Sequence, residues 1–235
     1  MSGPAAGPAA RGAGGDQTPE ILAYGEAALL VMLGEDVSIR LARRARALAG
    51  AIEALRDADT RYGMPVAAAA SVLVTFDPLE LDPVDASATL RRLVADLPAD
   101  PGPDPGAREQ AVPVRYGGED GPDLETVAAE LDLTPAQVVE LHAGAAWEVL
   151  FLGFAPGFPY LGVVPDGLVV PRLVRPRTRV PAGSVGIAGR LSGIYPGPSA
   201  GGWRLLGRTD LRLFDPTAGE PARLRPGDRV RFSPA

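Results

Sequence analysis

The sequence predicts an α+β protein with two domains, a small first domain of helices and strands and a second domain built mainly of strands. Between residues 18 and 97, helical periodicity alternates with short apolar runs. Residues 98–111 alternate proline, aspartate and glycine without any periodicity, which is typical of a linker. In the second domain, residues 112–235, strand and turn signals dominate and are the only ones left after Trp147.

The first domain is predicted to begin with two short strands and then a helix. Ile21–Leu33 contains two apolar stretches separated by a Gly-Glu turn, and either Asp36 or Ser38 can cap the helix that follows. Apolar residues at steps of three and four define its buried face: Val37, Leu41, Ala45, Leu48, Ile52 and Leu55. The same spacing predicts that three arginines face solvent: Arg40, Arg43 and Arg44.

A central strand over Val66–Phe76 and a second helix complete the predicted first domain. Asp82 and Pro83 form a cap and first-turn pair for that helix, and a closing strand is expected after it. In the second domain, Asp123 is predicted to cap a short helix. Thr134 and Gln137 have the spacing of a capping box for the next one.

The segment from Phe151 to Thr209 combines frequent glycine and proline with aromatic residues and arginines. The aromatic residues are Phe151, Phe154, Phe158, Tyr160, Tyr195 and Trp203. The arginines are Arg172, Arg175, Arg177, Arg179 and Arg190. Such a segment predicts short strands joined by rigid turns, and its positive charge suits an anionic ligand or partner. The alternatives are that the arginines are merely solvated and that the aromatic residues are core rather than the wall of a binding cleft.

Composition excludes several classes of chemistry. With 23 basic and 29 acidic residues the net charge is −6, which disfavours nucleic acid as a partner. Cysteine is absent and there is one histidine, so a protein-only zinc or iron site is not expected. All basic residues are arginine, so a Walker A lysine and a lysine Schiff base are excluded. Ser184 lacks a histidine after it and does not fit a hydrolase triad.

The N-terminal residues 1–17 are a low-complexity stretch of alanine, glycine and proline, which predicts a disordered tail. This stretch has no apolar core of a secretory signal, and no apolar run has the length of a membrane helix. A cytoplasmic protein without a membrane partner is therefore expected.

Several spaced motifs occur in a characteristic order: GFAPGFPYL, VPAGSVGIAG, GIYP, GGW and GRT. In this respect the chain resembles the family of 5-oxoprolinase B subunits, also described as KipI-like or allophanate hydrolase subunit 1, and the resemblance extends in weaker form over Pro19–Ser233. Trp147 and Ala200 depart from the family's usual tyrosine and proline. The resemblance implies a ferredoxin-like first domain and a cyclophilin-like β-barrel second domain.

The resemblance also implies a function, namely the B subunit of an ATP-dependent 5-oxoprolinase that opens the lactam of 5-oxo-L-proline to give L-glutamate. The implied partners are the carboxyltransferase-like C subunit and the LamB/YcsF-like A subunit, and ATP is expected to act through the complex. Such a protein is expected to be inactive alone. Two alternatives share the same barrel motifs: a KipI-like inhibitor of a sensor histidine kinase, and part of a urea carboxylase or allophanate hydrolase complex.

The site residues that the resemblance implies fall into two groups. The expected catalytic residues are His142, Arg172, Arg177 and Arg208. The expected substrate-binding residues are Phe154, Pro156, Gly157, Phe158, Tyr160, Ser184, Tyr195 and Trp203. His142 lies in the last turn of a predicted helix, where the helix dipole favours a cation, so its protonation is expected to be poised near neutral pH. The alternative is that His142 only caps the last carbonyls of that helix.

Overall fold

The computed structural model describes residues 18–235, in which a four-stranded sheet with two helices is followed by a closed β-barrel. The α+β class and the closed barrel are confirmed. The predicted disordered tail, residues 1–17, lies outside the described residues. Within residues 18–235, none of the helices has both the length and the apolar character that crossing a bilayer requires.

The first domain is an antiparallel sheet with the strand order β1-β2-β4-β3, packed against two helices. Its elements are β1 Glu20–Ala23, β2 Ala28–Met32, α1 Ile39–Ala58, β3 Val66–Ala67, β4 Ser71–Thr75 and α2 Pro83–Ala95. Ser38 caps α1 by accepting a hydrogen bond from the Leu41 amide at 3.1 Å, and Asp82 caps α2 through the Val84 amide at 2.7 Å. Both caps agree with the sequence, because a cap depends only on neighbouring residues.

Three expectations for this domain are corrected. The predicted central strand over residues 66–76 is a hairpin of β3 and β4, joined by a turn in which the Ala68 amide donates to the Ser71 carbonyl. The expected closing strand after α2 is missing from the sheet, and the edge beside β2 is occupied by the N-terminal β1 instead. Arg44 does not face solvent, since it is only 8% exposed.

The second domain is a closed barrel of seven strands in the order β10-β7-β6-β13-β5-β12-β9. Its strands are β5 Glu109–Tyr116, β6 Trp147–Leu152, β7 Pro159–Gly162, β9 Ser184–Ala188, β10 Leu191–Ile194, β12 Arg204–Arg208 and β13 Arg229–Pro234. Two further strands, β8 Arg177–Val180 and β11 Ser199–Gly201, form a separate two-stranded sheet, the outer ribbon. A short 3₁₀ helix covers Asp166–Leu168.

The last strand closes the barrel beside the first one. β13 runs parallel to β5 from the pair Arg229 and Glu109 onward, and it pairs with β6 on its other side. This pairing moves the end of the predicted linker, 98–111, because residues 109–111 already belong to β5. Asp228, immediately before β13, accepts hydrogen bonds from the Arg108 and Arg225 amides at 3.0 and 2.9 Å and also pairs with the Arg108 guanidinium.

Two helices, α3 Leu124–Glu130 and α4 Pro135–Gly144, lie against the barrel. The predicted capping box of α4 is present, with the Gln137 amide 3.2 Å from the Thr134 hydroxyl and the Thr134 amide 2.8 Å from the Gln137 side chain. Asp123, however, does not cap α3 with its side chain. Its carboxylate instead binds the Leu205 amide and Arg177, which lie far away in the sequence.

A buried carboxylate joins the two domains. Glu148 on β6 is 7% exposed and receives the Arg43 guanidinium at 2.8 Å and the Arg46 guanidinium at 2.6 Å. Both arginines lie on α1, and Arg46 also reaches the Leu150 carbonyl at 3.4 Å. One carboxylate thus balances two largely buried cations, so the position of α1 against the barrel depends on it.

We expect Glu148→Ala to lower the free energy of unfolding by about 3 kcal/mol, because it leaves two partly buried guanidinium groups without their buried carboxylate partner. Urea unfolding followed by circular dichroism measures this change. Glu140→Ala is the control, since Glu140 is an exposed glutamate of α4 and its removal is expected to change stability by less than about 0.5 kcal/mol. Equal stability of the two variants would contradict the assigned role of Glu148.

Candidate functional site

The barrel wall separates the predicted site residues into two groups. Successive residues of a strand point to opposite faces, and β10 illustrates this directly. Ser192 points inward to His142, whereas a Cβ on Gly193 would point outward, to within 2.9 Å of the rings of Phe158 and Trp203. The inner and outer groups therefore cannot form one site without opening the barrel.

The outer group is an aromatic cluster, formed by Phe154, Phe158, Tyr160, Tyr195 and Trp203. The Phe158 ring lies at its centre, 5.2 Å from the ring of Tyr195 and 5.5 Å from that of Trp203, and is nearly perpendicular to both. Edge-to-face packing of this kind is the favoured arrangement of aromatic pairs. Most of the predicted substrate-binding residues thus meet in one place.

Two glycines make this packing possible. Gly193 on β10 lies directly under the rings of Phe158 and Trp203, where a methyl group would overlap both. Gly201, on the outer ribbon, lies against the Tyr195 hydroxyl, and a Cβ there would also overlap it. The ribbon therefore covers the cluster closely, and Phe158, Tyr195 and Trp203 are at most 5% exposed, while their contact with substrate stays a prediction.

The accessible surface of the cluster is provided by Phe154 and Tyr160. Phe154 has a φ of 66° and is 62% exposed, and its turn continues through Pro156 to Gly157, which has a φ of 75°. The Phe158 amide closes this turn by donating to the Ala155 carbonyl at 3.0 Å. A large aromatic residue with positive φ is unusual, and backbone strain of this kind is concentrated at functional sites.

Arg172 supplies the positive charge of this surface. Its guanidinium carbon is 6.0 Å from the centre of the Trp203 ring, within the range of a cation–π contact. Burial raises the pKa of the Tyr160 hydroxyl, and the nearby Arg172 charge opposes that rise. Arg172 is exposed, and no carboxylate in the described part of the chain forms an ion pair with it. The side chain is thus available to an anion.

The other two arginines that were expected to be catalytic, Arg177 and Arg208, form contacts within the protein. Arg177 binds Asp123 at 2.6 Å, and this ion pair fastens the outer ribbon to the start of α3. Arg208 donates to the Ala182 carbonyl at 2.9 Å and lies at the far end of β12, five residues or about 16 Å of extended chain beyond Trp203. Ser184 is 2% exposed. Catalytic roles for Arg177 and Arg208, and substrate contact by Ser184, stay predictions.

His142 belongs to the inner group. It is fully buried, with Nδ1 2.8 Å from the Tyr116 hydroxyl and Nε2 3.0 Å from the Ser192 hydroxyl. Since Ser192 donates its proton to the Gly186 carbonyl at 3.2 Å, the Nε2–H donates to Ser192 and the Tyr116 hydroxyl donates to Nδ1. The neutral imidazole therefore has both nitrogens satisfied.

The expectation that His142 is poised near neutral pH is wrong. Burial lowers its pKa to about 3, and this outweighs any effect of its position at the end of α4. The Phe232 ring, 4.5 Å away, forms part of this apolar surrounding. A catalytic role for His142 stays a prediction, and the structure does not bring it to the aromatic cluster.

Sequence reasoning missed the hydrogen-bond and ion-pair partners of His142 and Arg177. Ser192 could have been found, because it lies two residues before Ile194 and therefore on the same, inward face of β10. The pairing of Asp123 with Arg177 could not, because it joins residues 54 positions apart.

The sequence matches the family described as carboxyltransferase domain, subdomain C and D, over residues 19–224. The 5-oxoprolinase B subunit of Escherichia coli O157:H7 is 56% identical over 131 residues, which are 56% of this chain and 60% of that protein. The protein of the same name from Bacillus subtilis is 50% identical over 121 residues, 52% of this chain and 50% of the relative. The matched part thus spans about half or slightly more of these relatives.

Solved structures resemble the whole fold. The crystal structure of TTHA0988 matches 88% of this chain and 39% of its own, with 41% identity and a TM-score of 0.74. PH0987 from Pyrococcus horikoshii is 38% identical, covers 92% of this chain and 97% of its own, and has a TM-score of 0.53. Urea carboxylase of Kluyveromyces lactis has a TM-score of 0.75 over 92% of this chain and 22% of its own, but its 22% identity supports the fold alone.

We expect Gly193→Ala to lower the free energy of unfolding by about 1–3 kcal/mol, because the added methyl group overlaps two packed rings. Near-ultraviolet circular dichroism reports the packing of the cluster, and urea unfolding reports the stability. Gly197→Ala is the matched control, since a Cβ there meets nothing within 4 Å. If both variants kept the wild-type spectrum and stability, the tight packing over Gly193 would be contradicted.

We expect stability to fall by about 2 kcal/mol between pH 7 and pH 5 because of His142. The unfolded chain takes up a proton near pH 6.5, whereas the folded chain does so only near the lowered pKa of about 3, so acid favours unfolding across that interval. His142 is the only histidine, which isolates the effect from other imidazoles. Urea unfolding at several pH values measures it, and His142→Gln should remove most of the slope. An unchanged slope in that variant would refute the assignment.

Proposed function

The chain belongs to the carboxyltransferase domain, subdomain C and D family, and from this membership we propose that it acts as the B subunit of an ATP-dependent 5-oxoprolinase. The observation that carries the proposal is its 48–56% identity to three relatives of that name. In the proposed reaction, water adds to the lactam carbonyl of 5-oxo-L-proline, the ring C–N bond breaks, and L-glutamate is released with its amine protonated.

The aromatic cluster and Arg172 support a small anionic substrate. 5-Oxoproline is a five-membered ring that carries one carboxylate. Arg172 can bind that carboxylate, because its guanidinium is exposed and without a carboxylate partner in the described residues. The ring then lies on the accessible surface of Phe154 and Tyr160, while Phe158 and Trp203 hold these contacts in place.

Arg177 has a positioning role in this proposal. Its ion pair with Asp123 fixes one end of the outer ribbon, and the ribbon covers Tyr195 and Trp203. We place ATP on another part of the complex, because a chain without lysine cannot form a Walker A loop. The partners proposed for this chain are the carboxyltransferase-like C subunit and the LamB/YcsF-like A subunit.

We expect Arg172→Ala to lower kcat/KM for 5-oxoproline by about ten- to a hundredfold in the reconstituted complex. A charge-assisted contact to a carboxylate is worth about 1.5–3 kcal/mol, which sets this range. Oxoproline-dependent release of ADP and glutamate measures the activity. The matched control is Arg190→Ala, which removes an arginine of the same segment that pairs with Asp166 at 3.1 Å.

Two further measurements separate catalysis from pure binding. The chain alone is expected to show no oxoproline-dependent ADP release, and equal turnover with and without partners would contradict its role within a complex. Full activity of the complex with Arg172→Ala and also with Phe154→Ala would remove the aromatic cluster from the reaction, whereas a complex that stays inactive with the wild-type chain would favour a binding protein such as a histidine kinase inhibitor.

A further inference from the structure

The first domain contains a cavity that the proposed function does not use. It has a volume of about 530 Å³ and lies where β1, α1 and α2 meet at the edge of the sheet. Its lining includes Ile21, Arg44, Arg91, Val94 and Leu97. This volume is within the range of pockets that hold small molecules.

Arg44 is the unusual residue of this cavity. Although it lies on the buried face of α1, between the core positions Leu41 and Leu48, it is only 8% exposed. Its Nε has no hydrogen-bond partner in the described part of the chain, and none of the ion pairs found there includes Arg44. A buried guanidinium without an anion is costly, so the cavity holds a positive charge that the described residues leave unbalanced.

A second arginine and an apolar surface indicate which kind of ligand would fit the cavity. Arg91 on α2 is exposed and lines the same cavity, and no ion pair among residues 18–235 includes it. Between the two arginines, the side chains of Ile21, Val94 and Leu97 provide apolar walls. Two guanidinium groups can donate hydrogen bonds to the two oxygens of one carboxylate. The apolar walls can bury a short hydrocarbon group attached to it.

We propose that this cavity binds a small organic carboxylate with an apolar tail, held by Arg44 in the interior and by Arg91 at the surface. The site is separate from the aromatic cluster, which lies on the outer face of the barrel in the other domain, and it does not depend on the proposed 5-oxoprolinase activity. The mixed lining disfavours a polyphosphate, which would need more cations and fewer apolar walls.

The experiment uses the full chain with octanoate as the probe and 1-octanol as its neutral counterpart. Isothermal titration calorimetry and the shift in melting temperature are both measured, since a ligand that binds only the folded state raises Tm with concentration. We expect saturable binding of octanoate and no comparable binding of octanol. Octanol binding equal to octanoate would overturn the role of the arginines, and equally tight binding of inorganic phosphate would overturn that of the apolar walls.

Two variants test the residues. Arg44→Met keeps the bulk of the side chain, and we expect it to weaken octanoate binding by about ten- to a hundredfold while raising the Tm of the ligand-free protein, because an unbalanced buried charge is removed. Arg91→Ala alters only an exposed position, so it keeps the test valid if Arg44→Met fails to fold, and should weaken binding about tenfold. Arg92→Ala, at the next position of α2, is the control and should bind like wild type.

An acidic residue of the chain itself is the alternative that the test must separate, and Asp16 is chosen because in the sequence it precedes Thr18, which lines the cavity, by two residues. The variant Asp16→Asn distinguishes an external carboxylate from one supplied by the chain itself. Octanoate binding of similar strength in wild type and in Asp16→Asn supports an external ligand. Binding that occurs only in Asp16→Asn would overturn the proposal and assign the cavity to the chain's own N-terminal segment.

Discussion

Closure of the barrel by its last strand is the constraint on which the second domain depends. β13 lies between β5 and β6, so the C-terminal residues complete a wall whose other strands were formed by residues 109–208. Asp228 fixes the start of this strand by binding two backbone amides and a guanidinium. Because the wall is continuous, every strand residue is sorted to the inside or the outside by the pleat.

This sorting explains why the inner and outer groups of predicted site residues lie in such different surroundings. His142 reaches the inside, where apolar surroundings keep it neutral and its hydrogen bonds are complete. The aromatic cluster lies outside, where Phe154 and Tyr160 remain accessible. The arginines differ in whether a carboxylate lies beside them. Arg177 has a buried carboxylate beside it and becomes structural, whereas Arg172 and Arg44 have no carboxylate partner among residues 18–235.

Features determined by neighbouring residues could be predicted from the sequence. The caps at Ser38 and Asp82 and the capping box at Thr134 follow from residues within three positions of each other. The grouping of the aromatic residues also followed, although only through the resemblance to a family. The errors about single side chains concern Arg44, Asp123 and His142, and these three have one cause. Their environments are set by elements distant in the sequence, which helical or strand periodicity does not encode.

The outer ribbon has a further consequence. Among the described residues its two strands pair with each other and not with the barrel, and they cover the aromatic cluster with the Val180 side chain and the Gly201 backbone. Changes in ribbon length or sequence therefore leave the ladder of the barrel intact. Substitutions in the ribbon can therefore reshape the surface over the aromatic cluster while the hydrogen-bonded wall of the barrel is conserved.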